Sequence, residues 1–467
     1  MSLMRADDVA SASLTVGLSA IRQQYNVAGP FPAEVLAAAD LAAKRPVTTA
    51  GRRDARHLPM ATLDPATSID LDQAFALHAE GDVLVLSYAI ADVGFFVDRG
   101  GVIEAEAWKR ASTIYMPDGR VPQYPPVLCE NAASLLAGVD RPAILLTTLV
   151  AKDGTATLRK AERAVIHSRA KLAYETVAAA DLGPELPELF RRIHDAEERR
   201  GATRIDFPEQ EIESDPTSPG GMRLVCRARQ ESEDQNSGMS LAANLAVAKR
   251  MLDAHVGLFR IMQEPSAGAV GMLHHAARAL QINWPAGMSL REVKGTLEAN
   301  NPRHTAFLIQ VRRAGGGASY GLPGDGTPPW HAAIAATYAH ATAPLRRLAD
   351  RYVLDLVVTL DAGQHPTAEE LATLAALPEV MEKVQSIARK VDRATIDLIE
   401  AVTLAGRVGE VFDAVVTAVE GPAARIQLID PPVWAKVTAS GVGPGDQVKV
   451  RLDATDAAAH QVQFSLV

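Results

Sequence analysis

Three closely spaced aspartates, Asp64, Asp70 and Asp72, are the residues of this chain best suited to chemistry. They lie in T-L-D-P-A-T-S-I-D-L-D-Q-A-F (residues 62–75), where apolar neighbours on both sides predict a partly buried loop that meets a strand. An unpartnered buried carboxylate loses its hydration, so such a set needs cationic side chains or a hard divalent metal. Asp70 and Asp72 would project to the same side of an extended segment, and the intervening turn would let Asp64 fold back toward them. The stretch is a candidate magnesium site.

A purely structural role for these aspartates is the alternative. Aspartates beside Pro and Ser often cap the backbone in Asx-turns without binding any ligand. A calcium loop is disfavoured, because the central Gly and the terminal Glu of the alternating acidic loop are absent. Spacing alone leaves magnesium binding and backbone capping both open.

Length and composition describe a soluble globular chain. With 467 residues, 48% hydrophobic and 22% charged, we expect two to four domains. No run approaches the ~20 apolar residues of a bilayer span, and no secretory signal is visible, so we expect no membrane partner. Cys129 and Cys226 form neither a metal-site spacing nor a disulfide framework, which favours a cytoplasmic location. The net charge of −9 argues against coating nucleic acid with a broadly basic surface, but a basic channel or one active-site arginine is compatible with it.

The elements that must position the aspartates follow an α+β pattern. In residues 338–352, Pro344 suits the first turn of a helix that starts at Thr342. This start would place Arg346 in the first turns, where an i,i+4 ion pair with Asp350 is the ordinary surface interpretation. Helices are predicted at 9–25, 32–43, 103–110, 168–201, 231–254 and from 342 to about 404, and strands at 82–97 and 141–165.

The last sixty residues change character. Five short strand-like pieces between 411 and 467, separated by Gly and Pro turns, predict a small all-β barrel of the OB type. Residues 407–467 carry five Lys/Arg and seven Asp/Glu, a net charge of −2, so RNA binding by this barrel rests on its architecture. The predicted organisation is a helical region at 1–48, a catalytic domain at 49–404 and the barrel at 405–467.

Several segments, in order, resemble the ribonuclease II / ribonuclease R (RNB) family of 3′-to-5′ exoribonucleases. The acidic stretch is similar to its T-I-D-x-x-x-x-x-D-x-D-D-A motif, and residues 341–350 resemble its T-S-P-I-R-R-Y-x-D signature. Residues 89–97, 110–117 and 134–141 resemble the family's I-A-D-V, R-x-x-S-x-Y-x-P and S-L-x-x-x-x-x-R segments, and the end resembles its S1-type barrel. The resemblance covers roughly 50–467 and implies an RNB domain, a mixed sheet surrounded by helices.

The resemblance implies a processive, hydrolytic exoribonuclease that releases 5′ nucleoside monophosphates by a two-magnesium mechanism, with manganese as the alternative metal. Asp64, Asp70 and Asp72 would hold the ions, with Gln73 at the position of the family's fourth aspartate. Asp72, Asp70 and Arg346 would be catalytic, the arginine clamping the scissile phosphate through its planar fork.

The resemblance also implies RNA contacts, and with them single-stranded RNA or RNA with a 3′ overhang as the substrate of a monomeric enzyme. Tyr115 and Phe207 would stack on bases near the 3′ end, and core packing is the alternative for each. Arg347 would contact either the RNA backbone or a structural carboxylate. Asp392 lies where the family has an acidic residue near the terminal nucleotides.

Departures from the family pattern motivate a second hypothesis. Gln73 brings no charge to the metal site, Ala343 replaces the signature's Ser, and Asn236 with its neighbours replaces a Glu pair. Helix-like residues stand where the family usually carries two cold-shock barrels, so the chain is expected to be a variant without them. The alternative is a catalytically impaired RNA-binding or regulatory protein on the same fold.

Overall fold

The computed structural model describes residues 6–202, 209–215, 218, 221–227, 229–297, 301–324 and 329–467. Within these ranges no helix combines the length and the apolar character that a membrane span requires. The helices are α1 (Ala6–Gln24), α2 (Ala33–Ala42), α3 (Val102–Arg110), α4 (Ala179–Leu182), α5 (Glu185–Arg200), α6 (Glu231–Asp253), α7 (Ala267–Ala279), α8 (Leu290–Lys294), α9 (Pro302–Ala314), α10 (Leu348–Asp361) and α11 (Ala368–Thr403).

The larger part of the chain contains the strands β1 (Arg53–Asp54), β2 (Met60–Asp64), β3 (Gln73–Glu80), β4 (Val83–Ala91), β5 (Ile114–Met116), β6 (Gly119–Val121), β7 (Asp140–Val150), β8 (Ala156–Ala173), β9 (Glu209–Ser214), β10 (Met222–Arg227), β11 (Phe259–Ile261) and β12 (Ser319–Gly321). A mixed six-stranded sheet forms its centre, in the order β1-β8-β2-β3-β4-β7, with β8 also pairing with β7. Strands β9–β10, β11–β12 and β5–β6 form three separate two-stranded sheets.

The continuous apolar run of β4 explains its central place in the sheet. Eight of its nine residues are buried, as expected for a strand covered on both faces. Helix α6 packs on β7 and β8, and its Ser240 hydroxyl lies 2.9 Å from the hydroxyl of the buried Tyr88 of β4. The predicted mixed sheet surrounded by helices is confirmed.

The predicted helix at 168–201 is wrong over residues 168–178. Strand β8 continues to Ala173, because Ser168–Ala173 of this strand pair in parallel with β2. Helical structure begins only with α4 and α5. The long-range pairing with β2 outweighs local helix propensity in this segment.

The C-terminal strands form a five-stranded antiparallel sheet in the order β15-β14-β13-β16-β17. Its edge strands β15 and β17 contact each other, so the sheet nearly closes, and the predicted OB-type barrel is confirmed. The strands are β13 (Val411–Glu420), β14 (Ala423–Leu428), β15 (Trp434–Thr438), β16 (Gln447–Asp456) and β17 (Gln461–Leu466).

Helix α1 shares one apolar core with the second half of α11 and the barrel. Leu18 and Ile21 are buried beside Leu398 of α11 and Phe412 of β13. Gly17 permits this close approach, since a Cβ there would lie 2.6 Å from a methyl carbon of Leu398. Helix α1 is therefore integral to the fold, while the domain boundaries at 48 and 404 stay a prediction.

Candidate active site

The acidic loop, residues 64–73, runs from the last residue of β2 to the first residue of β3. Ser134 anchors it from one side: its hydroxyl donates to the Ile69 carbonyl at 2.7 Å and accepts the Leu71 amide at 2.9 Å. The Leu135 amide donates to the Leu71 carbonyl at 3.0 Å, and Arg141 Nε in turn holds the Ser134 carbonyl at 2.9 Å. The Ser-Leu…Arg segment seen in the sequence is thus the support of this loop.

Two residues of the β8 end hold the other side of the acidic loop. Lys171 Nζ donates to the Ala66 and Ser68 carbonyls, each at 2.6 Å. The Glu175 carboxylate accepts the Ala66 amide at 3.1 Å. Sequence reasoning missed both residues, because their relation to the loop depends on the parallel pairing of β2 with β8. These bonds fix the backbone that carries the three aspartates.

The arginine loop, residues 341–347, packs directly against Asp72. The Leu345 amide donates to Asp72 Oδ1 at 2.7 Å, and Arg346 Nε lies 3.4 Å from Asp72 Oδ2. Asp72 is only 3% exposed, whereas the Arg346 side chain is 45% exposed. The structure therefore brings the predicted carboxylate and arginine together, with the guanidinium reaching the surface of the site.

The predicted helix start at Thr342 is wrong, because α10 begins at Leu348. Carboxylates accept two of the backbone donors of the arginine loop: Asp350 accepts the Ala343 amide at 2.8 Å, and Asp72 accepts the Leu345 amide. The Ser112 hydroxyl also binds the Arg346 carbonyl at 2.8 Å. These contacts stabilise a turn in place of the first helical turns.

The alternative interpretation of Arg346, a surface ion pair with Asp350, does not hold in the structure. Asp350 is fully buried and binds the neighbouring Arg347 instead, through Nε at 3.0 Å and Nη2 at 2.7 Å. A structural carboxylate, that of Asp350, is therefore a partner of Arg347, and the contact of Arg347 with the RNA backbone stays a prediction. This bidentate pair fixes the end of the arginine loop.

We expect Asp350→Asn to lower the free energy of unfolding by about 3 kcal/mol, because it leaves the half-buried Arg347 charge without its partner. Urea denaturation of wild type and variant measures the difference. The double substitution Arg347→Met with Asp350→Asn should recover much of the loss, since it removes the unpaired charge and keeps an acceptor for the Ala343 amide. Unchanged stability of Asp350→Asn with weaker RNA binding would favour the RNA-backbone role of Arg347.

Gln73 is buried and ties the acidic loop to the arginine loop. Its Nε2 donates to the Thr342 carbonyl, which a carboxylate at this position could not do. The departure from the family's fourth aspartate therefore has a structural explanation, in which the amide cross-links the two halves of the site. Its predicted role as a metal ligand stays a prediction.

The substitution Gln73→Glu separates these two roles. If the amide acts as a cross-link, the carboxylate will face the Thr342 carbonyl oxygen, and stability will fall by about 1–3 kcal/mol, the cost of an unsatisfied buried group. Thermal unfolding in EDTA measures this loss. A variant of unchanged stability with tighter Mn²⁺ binding would instead assign position 73 to the metal.

Asp70 faces the hairpin of β5 and β6. Arg120 Nη1 contacts Asp70 Oδ1, and the Tyr115 hydroxyl lies 3.5 Å from Oδ2. Tyr115 is 51% exposed, so core packing is not its role. Sequence reasoning missed Arg120, since its position opposite Tyr115 depends on the hairpin register.

The two remaining RNA-binding predictions receive no support from geometry. Phe207 lies outside the described residues. Asp392 is exposed on α11 and forms no hydrogen bond or ion pair with the described residues of the acidic loop. Both assignments stay predictions.

Burial has a larger effect on the pKa values of Asp64 and Asp72 than any neighbouring charge. Desolvation raises the pKa of Asp72 to about 8 and that of Asp64 to about 6, the charge of Asp70 raises both, and Arg346 opposes the shift. Neighbouring cations offset only part of this desolvation, so the two carboxylates would gain from a divalent cation, which prefers hard, anionic oxygen ligands. In the described chain, however, no three acidic, His or Cys side chains are already arranged as a metal cage. The donor set fits a divalent ion once its side chains converge.

These pKa values predict that metal-free stability falls as pH rises. The folded pKa values of Asp64 and Asp72, about 6 and about 8, exceed the ordinary 3.8, so the folded state binds more protons than the unfolded chain between about pH 4 and pH 8. Thermal unfolding in EDTA across this window should show a declining Tm, with a shallower decline in Asp72→Asn. Equal pH dependence of the two proteins would contradict the assignment.

Comparison with known proteins bears on this site. The RNB domain matches residues 52–360, and the RNase II-type exonuclease C-terminal S1 domain matches residues 410–467. Ribonuclease R of Escherichia coli is 27% identical over 474 residues, covering 90% of this chain and 58% of that protein. The chain thus spans little more than half the length of the curated relatives it matches.

Solved structures share the fold. Mycoplasma genitalium RNase R in complex with ribose-methylated single-stranded RNA has a TM-score of 0.84 at 20% identity, over 97% of this chain and 78% of that one. Yeast Ssd1, described as a pseudonuclease, has a TM-score of 0.67 at 16% identity, over 88% of this chain and 54% of that one. The resemblance seen in the acidic stretch, the arginine loop and the barrel is confirmed, and the chain belongs to the RNB domain family.

Proposed function

We propose that this chain is a hydrolytic 3′-to-5′ exoribonuclease that degrades RNA processively to 5′ nucleoside monophosphates. The observation that carries the proposal is the contact between buried Asp72 and half-exposed Arg346 beside two further aspartates. This arrangement combines anionic metal ligands with a cation that can reach a phosphate. The Ribonuclease R relatives support the same reaction class.

Asp64, Asp70 and Asp72 are the residues that would hold magnesium, or manganese in its place. The chemistry that a bound pair of divalent ions supplies is activation of a water molecule and charge stabilisation of the phosphate oxygens. The chain itself contributes a fixed backbone, through the bonds of Ser134 and Lys171 to the acidic loop. The three carboxylates would therefore hold bound ions in a constant position during the reaction.

Arg346 would bind the scissile phosphate. Its Nε faces Asp72, and its Nη atoms form no hydrogen bond with the described residues, so the outer edge of the fork is available to a phosphate. The pairing with Asp72 orients the guanidinium before RNA arrives. Such preorganised charge acts on the negative charge that develops in the transition state.

Tyr115 is the proposed RNA contact that the geometry around Asp70 supports. Tyr115, half-exposed beside Asp70, offers a ring on which a base near the 3′ end can stack, irrespective of sequence. Phe207, Arg347 and Asp392 complete the proposed set. The substrate would be single-stranded RNA or RNA with a 3′ overhang, bound by a monomer in the cytoplasm.

A second function remains, that of a catalytically impaired RNA-binding or regulatory protein. The observation that favours it is Gln73, which uses its amide for the arginine loop where the family pattern has an acid. Yeast Ssd1 is an example of a pseudonuclease on this fold. The retained set of Asp64, Asp70, Asp72 and Arg346 favours the enzyme.

Digestion of one RNA labelled separately at each end tests the proposal. With Mg²⁺, the 3′ label should appear at once as a mononucleotide, while the 5′-labelled strand shortens progressively, and EDTA should stop both. Long-lived full-length strands beside very short products indicate processivity. Internal fragments from both labels, or binding without any release, would contradict the proposal, and the second outcome would favour the regulatory alternative.

A further inference from the structure

Arg120 and Tyr115 approach Asp70 from one hairpin. Tyr115 of β5 is directly opposite Arg120 of β6 in the antiparallel register, so their side chains lie on one face. Arg120 Nη1 contacts Asp70 Oδ1, and the Tyr115 hydroxyl is 3.5 Å from Oδ2. The hairpin thus engages both carboxylate oxygens of one predicted metal ligand.

Glu130 is a second partner for the same guanidinium. Its Oε1 lies 3.1 Å from Arg120 Nε and 2.9 Å from Nη2, on the side of the fork away from Asp70. The side chains of Arg120, Asp70 and Glu130 are 20%, 12% and 25% exposed, so solvent screens this cluster weakly. Because Nε and Nη2 both face Glu130, Arg120 can withdraw Nη1 from Asp70 and keep two of its three contacts.

Asp70 differs in this respect from the other two aspartates. Asp72 has its guanidinium neighbour, Arg346, at 3.4 Å through Nε, and Asp64 forms no ion pair with a described residue. A divalent cation and a guanidinium repel each other at short range, so an ion bound to Asp70 would lower the affinity of Arg120 for this carboxylate. Arg120 therefore competes electrostatically with an ion at Asp70.

We propose that Arg120 is a positioning residue that competes with a divalent cation for Asp70, and that Glu130 holds Arg120 when the cation binds. The inference rests on the proposed function, because it assigns Asp70 to the metal. Without an ion, the guanidinium balances the charge of Asp70 and limits carboxylate repulsion in the acidic loop. When the ion binds, Asp70 leaves Arg120, so metal affinity is lower than the three aspartates alone would give.

Mn²⁺ binding to the RNA-free protein tests this, with free Mn²⁺ measured by electron paramagnetic resonance during titration. Arg120→Gln should bind Mn²⁺ on the order of tenfold more tightly, within the range that partners of metal ligands control. Glu130→Gln should bind it more weakly, because Arg120 then has Asp70 as its remaining partner. Arg53→Gln is the matched control, since Arg53 pairs with Glu162 at 2.9 Å on the surface of the sheet, and its affinity should not change.

The gain in affinity is the discriminating result, because mere structural damage would weaken metal binding. Arg120→Lys, which keeps the charge but cannot span both carboxylates, should return the affinity toward wild type. Unchanged or weaker binding by a stably folded Arg120→Gln variant, or tighter binding by Glu130→Gln, would overturn the inference. If the wild type cleaves RNA in that case, the proposed function stands; if no variant binds Mn²⁺ and no RNA is cleaved, both fail.

Discussion

Asp72→Asn is expected to reduce RNA hydrolysis by more than about 10³-fold, above the ~10²–10³ that loss of one electrostatic donor costs an enzyme. Asparagine keeps the shape of the side chain and the acceptor for the Leu345 amide. It removes the charge that both a divalent ion and Arg346 require. RNA affinity should change little, because Asp72 is buried and would contact the metal instead of the RNA.

The same variant should be more stable than the wild type when metal is absent. Burial disfavours the charged form of Asp72, whose pKa is about 8, so a neutral amide relieves a desolvation cost at neutral pH. Turnover, filter binding and thermal unfolding in EDTA together measure the three quantities. If the variant loses both stability and activity, Asp72 only supports the fold. That result would favour the Asx-turn interpretation of the acidic stretch.

The second large effect is expected for Arg346→Lys, a loss of about 10²–10³ in kcat with a small change in KM. Lysine keeps the positive charge but cannot face Asp72 and present a planar fork to a phosphate at the same time. Single-turnover digestion separates this chemical step from binding.

A matched control for Arg346→Lys is Arg56→Lys, at an exposed arginine that pairs with Asp54. The control should leave kcat and KM unchanged. If Arg346→Lys raised KM and left kcat intact, Arg346 would be a ground-state RNA contact and the proposed role at the scissile phosphate would be wrong.

The sequence was sufficient for features that depend on local pattern. The acidic loop, the Ser134–Arg141 segment and the five strands of the barrel have short-range signatures of apolar alternation, turn residues and spaced charges. Asp72 and Arg346, which are far apart in the chain, were paired through the family resemblance, and the structure places them 3.4 Å apart.

The sequence was insufficient where long-range contacts override local preference. Pro344 favours a helix start, yet Asp72 and Asp350 take the backbone donors of the arginine loop and delay α10 to Leu348. Arg120 reaches Asp70 because of the register of the hairpin formed by β5 and β6. A single arginine in the sequence does not indicate such a register. In the sequence, Gln73 indicated only a missing negative charge. Its function as a cross-link became visible only when the structure placed the Thr342 carbonyl beside its amide.

The most direct measurement of the central claim is mononucleotide release from a single-stranded RNA by wild type and Asp72→Asn, each with Mg²⁺ and with EDTA. We predict 5′ nucleoside monophosphates from the wild type with Mg²⁺ alone, and none from the variant although it still binds RNA. Release that persists in EDTA or in Asp72→Asn would contradict a metal-dependent reaction at the acidic loop.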